Sequence, residues 1–117
     1  MTNQAALGLE TLLDLHGEIS PMENGYWVKF EAYEVKKTQQ IPHGIKYSIT
    51  LHNQQNIRVL GFDNAHGVKL KKHRFAAKKI TWDHKHLKNK ITDYEFETPA
   101  QLIEDFWQEV ERLLEGN

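Results

Sequence analysis

The sequence predicts an α+β fold, an antiparallel β-sheet with a C-terminal amphipathic helix packed on one face. Two observations carry the sheet. Residues 26–35 and 45–52 alternate apolar and polar side chains, and both stretches are rich in aromatic and β-branched residues. A polar Asn53-Gln54-Gln55-Asn56 connection then leads to a third apolar run, the pattern of an antiparallel return. A third observation carries the helix: beyond Thr98-Pro99, apolar residues recur at helical spacing.

The first leucines (Leu7, Leu9, Leu12, Leu13 and Leu15) fit either a short helix or a lead-in strand. Ser20-Pro21 and Glu23-Asn24-Gly25 mark a turn. In the first clear strand Tyr26, Val28, Phe30 and Ala32 share one face, with Trp27, Lys29, Glu31 and Tyr33 on the other. Ile41-Pro42-His43-Gly44 interrupts the pattern. The second strand then faces Ile45, Tyr47, Ile49 and Leu51 one way and Lys46, Ser48, Thr50 and His52 the other. Ile57 to Phe62 is the third strand, and a short fourth is expected over Asp93 to Glu97.

Thr98 caps the helix, Pro99 suits its first position and Gln101 completes a capping box. Its apolar stripe is Ile103, Phe106, Trp107, Val110, Leu113 and Leu114, with Glu104, Glu109, Glu111 and Glu115 elsewhere and Gly116 closing it. No repeat or low-complexity linker divides the 117 residues, so a single domain over 1–117 is expected.

Composition removes several function classes. Zero cysteines exclude disulfides, thiolate metal sites and cysteine catalysis. No apolar run approaches the ~20 residues of a membrane span, and no secretory signal is evident, so a cytoplasmic protein with no membrane association is expected. Neither a phosphate-binding glycine loop nor a dinucleotide fingerprint nor a serine nucleophile elbow is present.

The net charge of -1 hides a segregation. Lys69 to Lys90 holds nine basic residues (Lys69, Lys71, Lys72, Arg74, Lys78, Lys79, Lys85, Lys88 and Lys90) against one acid, Asp83. From Asp93 onward there are eight acids and only Arg112. A basic segment over 67–90, expected to be mobile, on an acidic body suits a polyanion. With His73, Phe75 and Trp82 interleaved, its cations fit phosphates and its rings fit unpaired bases. A solubilising loop or a dock for an acidic protein is the plainer account of the same charges.

One polar cluster precedes that segment and another lies near its end. Phe62-Asp63-Asn64-Ala65-His66-Gly67 follows an apolar strand and puts Asp63 and His66 at a sheet rim, an orienting carboxylate beside a proton-transfer group. The plainer alternative is a turn closed by Asp63 and Asn64. In Trp82-Asp83-His84-Lys85-His86 the two histidines, two residues apart, share one side of an extended strand, within reach of one ion or one phosphate. Zn²⁺, Mn²⁺ and Ni²⁺ accept such ligands; equally, two histidines can divide a ribonuclease's acid and base work with no metal. His43, fixed between Pro42 and Gly44, is a further candidate for the same sheet end, although a structural turn explains it too.

Together Gly25-Tyr26-Trp27-Val28-Lys29, Pro42-His43-Gly44-Ile45-Lys46-Tyr47-Ser48-Ile49-Thr50-Leu51, Gly61-Phe62-Asp63-Asn64-Ala65-His66, Trp82-Asp83-His84-Lys85-His86 and Phe106-Trp107-Gln108-Glu109-Val110 resemble, in this order, the bacterial TumE-type toxin family. The resemblance covers most of the chain. It implies the toxin component of a type II toxin–antitoxin pair, whose antitoxin partner is encoded next door and is commonly a DNA-binding helix-turn-helix protein. The positions it carries over are His43, Asp63, Asn64, His66, Asp83, His84 and His86; the lysine-rich stretch between His66 and Trp82 departs from the family's pattern.

Three functions compete at this level. The leading one is an endoribonuclease toxin needing no cofactor. In it His66 and either His84 or His86 serve as base and acid, Asp63 or Asp83 orients them, and RNA is held by Lys69, Lys71, Lys72, Arg74, Lys78, Lys79, Lys85, His43 and Trp82. The second is a phosphodiesterase or nucleotide-modifying enzyme using a divalent metal on Asp63, His66, Asp83, His84 and His86. The third is a non-catalytic module that binds nucleic acid or an acidic partner. A homo-oligomer is compatible with each.

Overall fold

The computed structural model describes residues 6–64, 68–69, 80–81, 83–88 and 90–115, with only the backbone at 68–69 and 80–81. The candidates His66, Lys71, Lys72, Arg74, Lys78, Lys79 and Trp82 lie outside the described residues, as do the side chain of Lys69, the helix-closing Gly116 and most of the segment expected to be mobile.

In chain order the elements are α1 (Leu9–Asp14), β1 (Ile19–Pro21), a 3-10 turn (Glu23–Gly25), β2 (Trp27–Glu34), β3 (Ile45–His52), β4 (Arg58–Asp63), β5 (Val68–Lys69), β6 (Ile80–Thr81), β7 (His84–Leu87), β8 (Lys90–Asp93) and α2 (Pro99–Glu115). Six strands form one sheet in the order β1-β2-β3-β4-β7-β8, every pair antiparallel. β5 and β6 pair separately. The fold is the predicted α+β sheet with a C-terminal helix across one face.

The period-two patterns choose that face. Val28, Phe30 and Ala32 of β2, Ile45, Tyr47, Ile49 and Leu51 of β3, and Leu60 and Phe62 of β4 are buried beneath Leu102, Phe106 and Val110 of α2. Phe106 meets Phe30 and Phe62 edge-on, with centroids 6.0 and 5.7 Å apart. The stripe's centre also includes Leu102, which the predicted stripe did not name. Gln101 N–H donates to Thr98 Oγ1 at 3.1 Å, while Gln101 Oε1 accepts from Glu97 N–H at 2.9 Å. The helix start is thus satisfied reciprocally, one residue removed from the standard box.

The N-terminal leucines form a helix. Gly8 precedes it at φ +83°, pressed so closely on α2 that a Cβ would lie 2.6 Å from Ala100 N. Both demands, the left-handed angle and the contact, require glycine.

The expected strand at Asp93–Glu97 falls elsewhere. β7 and β8 form before it, and the chain leaves the sheet after Asp93. The alternation that suggested a strand instead places Tyr94 edge-on to Phe62 at 4.7 Å and Phe96 edge-on to Tyr47 at 5.6 Å. β8 is an exposed edge strand and needs no apolar pattern. Among the described residues, no helix is long and apolar enough to cross a membrane.

Candidate active site

The register between β4 and β7 assembles the site. Its pairs are Leu60↔Leu87, Gly61↔His86, Phe62↔Lys85 and Asp63↔His84. Because strand side chains alternate, Phe62 and Lys85 share the face toward α2, whereas Asp63, His84 and His86 share the opposite one. Lys85 Nζ makes an ion pair with Glu109 Oε1 of α2 at 3.1 Å. Of the proposed RNA-binding cations, Lys85 is thereby kept away from the histidines.

Asp63 sits between the two imidazoles. Its Oδ2 lies 3.1 Å from His86 Nε2 and its Oδ1 3.4 Å from His84 Nδ1. One ligand atom from each of the three residues falls within a mutual 4.8 Å. The His84 side chain is 1% exposed, against 14% for His86 and 13% for Asp63, so the latter two are those a solute meets first. A carboxylate only accepts, so each facing nitrogen carries the proton when the ring is neutral. That tautomer leaves His86 Nδ1 as its basic nitrogen. Burial holds the His86 pKa below the ordinary 6.5; Asp63 opposes this, while Arg58 and His84 reinforce it. The lowered pKa favours the neutral form of the His86 ring at pH 7.

Asn64 and Asp83 support this end of the sheet. Tyr47 N–H donates to Asn64 Oδ1 at 3.0 Å and Asn64 Nδ2 donates to Ile45 O at 2.7 Å, continuing the β3–β4 pairing through a buried side chain. Burial raises the Asp83 carboxyl to about 6; nearby His84 lowers it, Glu95 and Asp63 push it up, and a hydrogen bond with Asn64 lowers it. His43 lies near this sheet end but stacks on Phe96 at 4.3 Å and lines a cavity of about 340 Å³ with Lys37, Pro42 and Pro99. Burial lowers its pKa, aided by Lys37 and opposed by a backbone hydrogen bond at Phe96.

The structure adds residues that the sequence reading did not single out. Leu51 faces Leu60, but His52 faces Arg58, so Val59 is an extra residue in β4. This bulge turns Arg58 onto the same face as Gly61 and His86. There Arg58 is exposed and lies over Gly61, where a Cβ would stand 3.3 Å from Arg58 Cδ and 3.5 Å from Thr50 Cγ2. On the same face His52 stacks on Trp27, centroids 4.0 Å apart and planes 10° from parallel. The sequence signal was Gly61 itself, since a glycine inside an apolar strand marks a bulge or a close approach.

A family model described as toxin TumE matches residues 10–114. No curated protein and no solved structure shows significant similarity to the chain.

Proposed function

The chain belongs to the TumE toxin family, and from that premise we propose that it cleaves RNA, with Asp63 and His86 at the centre of its site. A toxin role and an antitoxin partner follow from the family. The antitoxin is proposed to be a helix-turn-helix protein encoded beside the toxin. The observation that carries the nuclease reading is the single carboxylate held between two imidazoles on the sheet face opposite the helix.

In the proposed reaction His86 Nδ1 takes the proton of a ribose 2′-hydroxyl, whose oxygen attacks the adjacent phosphorus. The bond from phosphorus to the 5′ oxygen breaks, and a second imidazole protonates that leaving oxygen. The products are a 2′,3′-cyclic phosphate and a 5′-hydroxyl. His66 is proposed as the acid. His84, the more enclosed histidine, positions Asp63, and Asp63 orients His86. A ring neutral at pH 7 is the form a general base needs.

The test compares induced expression of the parent, His86→Ala and Asp63→Asn at matched soluble levels, followed by end analysis of cellular RNA. We expect the parent to arrest growth and leave cyclic-phosphate ends, with cleavage reduced about 10²–10⁴-fold in His86→Ala. The rising limb of the rate–pH profile lies below the ordinary imidazole value of 6.5. Undiminished arrest by both variants would falsify this mechanism.

The mutual 4.8 Å spacing of three ligand atoms favours one second reading, a divalent-metal enzyme held by two histidines and a carboxylate. Asp83 and His66 are its proposed additional ligands. It predicts stoichiometric metal by elemental analysis, lost on His84→Ala; a metal-free parent that still cleaves RNA would end it. RNA binding without cleavage would leave the non-catalytic module.

A further inference from the structure

We infer that Arg58 and the His52–Trp27 ring stack form a subsite for one nucleotide of single-stranded RNA beside the Asp63–His86 pair, the guanidinium taking a phosphate and the rings a base. This rests on the RNA reading above and names how that substrate is held.

Three local features converge on Arg58. The Val59 bulge sets it on the histidine face, and Gly61 leaves the strand surface bare where its side chain lies. Among the described residues Arg58 makes no ion pair, unlike Lys29, Lys85 and Arg112, which are bound to Glu31, Glu109 and Glu109. An exposed guanidinium with no carboxylate beside a proton-transfer pair is suited to a planar, bidentate grip on phosphate. Burial lowers the pKa of His52, and the nearby Arg58 charge lowers it further.

The rings are built independently. Trp27 Nε1 donates to Asn56 Oδ1 at 3.1 Å, and His52 Nε2 lies 2.8 Å from Thr50 Oγ1, so both are fixed at their polar ends. Asn56 adopts φ +63° in the turn that supplies this contact. Thr50 pairs with Gly61, and Gly61 with His86, so His52 is one same-face step from the histidine row. That step is about 7 Å along the strand, and β4, which carries Arg58, separates His52 from His86 by two strand spacings, about 10 Å. A cation with an oriented aromatic platform recognises a single-stranded nucleotide, whereas an acidic peptide requires the cation alone.

The test uses the 117-residue chain carrying His86→Ala, expected to suppress cleavage, and measures binding of a labelled single-stranded RNA oligonucleotide by fluorescence anisotropy over a range of salt. Adding Arg58→Gln should weaken binding about tenfold and reduce the salt slope by about 0.7. Arg58→Lys should keep the slope and lose part of the affinity, and His52→Ala should lose about tenfold with the slope unchanged. Lys36→Gln, exposed past the end of β2 opposite Trp27, serves as the charge control, and thermal melts verify that each variant folds.

Equal weakening by Lys36→Gln and Arg58→Gln overturns the subsite, as does unchanged binding in Arg58→Gln or, should that variant not fold, full affinity in Arg58→Lys. If the parent meanwhile cleaves the oligonucleotide, the nuclease reading survives that loss. A parent that neither binds nor cuts RNA, or binds only an acidic peptide, removes both.

Discussion

Asp83 illustrates how much of the site's chemistry is set residue by residue. Its carboxyl, raised to about 6, prefers to be protonated in the fold more than in the unfolded chain, where 3.8 applies. The associated stability is present in full below pH 4 and is lost as pH rises through 6. Asp83→Asn should therefore raise the melting temperature at pH 7.5 and change it little at pH 4. The gain, discounted for partial solvent access, is about 1 kcal/mol. Equal shifts in thermal melts at both pH values would contradict the assignment. Tyr47 presents a second case, because its hydroxyl is buried with no hydrogen-bond partner among the described residues. Tyr47→Phe should be neutral or stabilising by up to about 1 kcal/mol in chemical denaturation, and a clear loss would reveal a partner. The paired histidines could be read from the sequence because their spacing puts them on one side of a strand. Arg58 could not, since Gly61 marks a bulge or close approach but not that Val59 is the extra residue, on which the facing of Arg58 depends.

At the scale of elements, legibility followed burial. β2, β3 and β4 each bury one face, so hydrophobic alternation announced them, and α2 combined that signal with a cap. β7 and β8 carry lysines, histidines and threonine, and their pairing depends on a neighbouring strand rather than on their own composition. Tyr94 and Phe96 then mimicked a strand because one side of an irregular segment packs while Asp93, Glu95 and Glu97 on the other stay exposed. The helix contributes most where Phe106 closes over Phe30 and Phe62. Phe106→Ala should destabilise by about 3–5 kcal/mol, whereas Thr98→Ala, which removes only the cap, should cost about 1 kcal/mol. Denaturant midpoints with unchanged slopes would verify both values, and equal losses would refute the division.

Across the whole molecule, the sheet separates stability from chemistry. Its helix-covered face holds the apolar core; its other face displays the carboxylate, the imidazoles and Arg58. Substitutions of His86 or Arg58 should thus alter growth arrest with melting temperatures nearly unchanged, a separation that parallel melts and growth curves can measure. The β4–β7 register also has a temporal meaning. Asp63 emerges from the ribosome well before the histidines that flank it, and α2, which closes the core, follows them. Synthesis therefore arms the protein late: a chain cut short before α2 leaves Phe30 and Phe62 uncovered and should be harmless to the cell producing it.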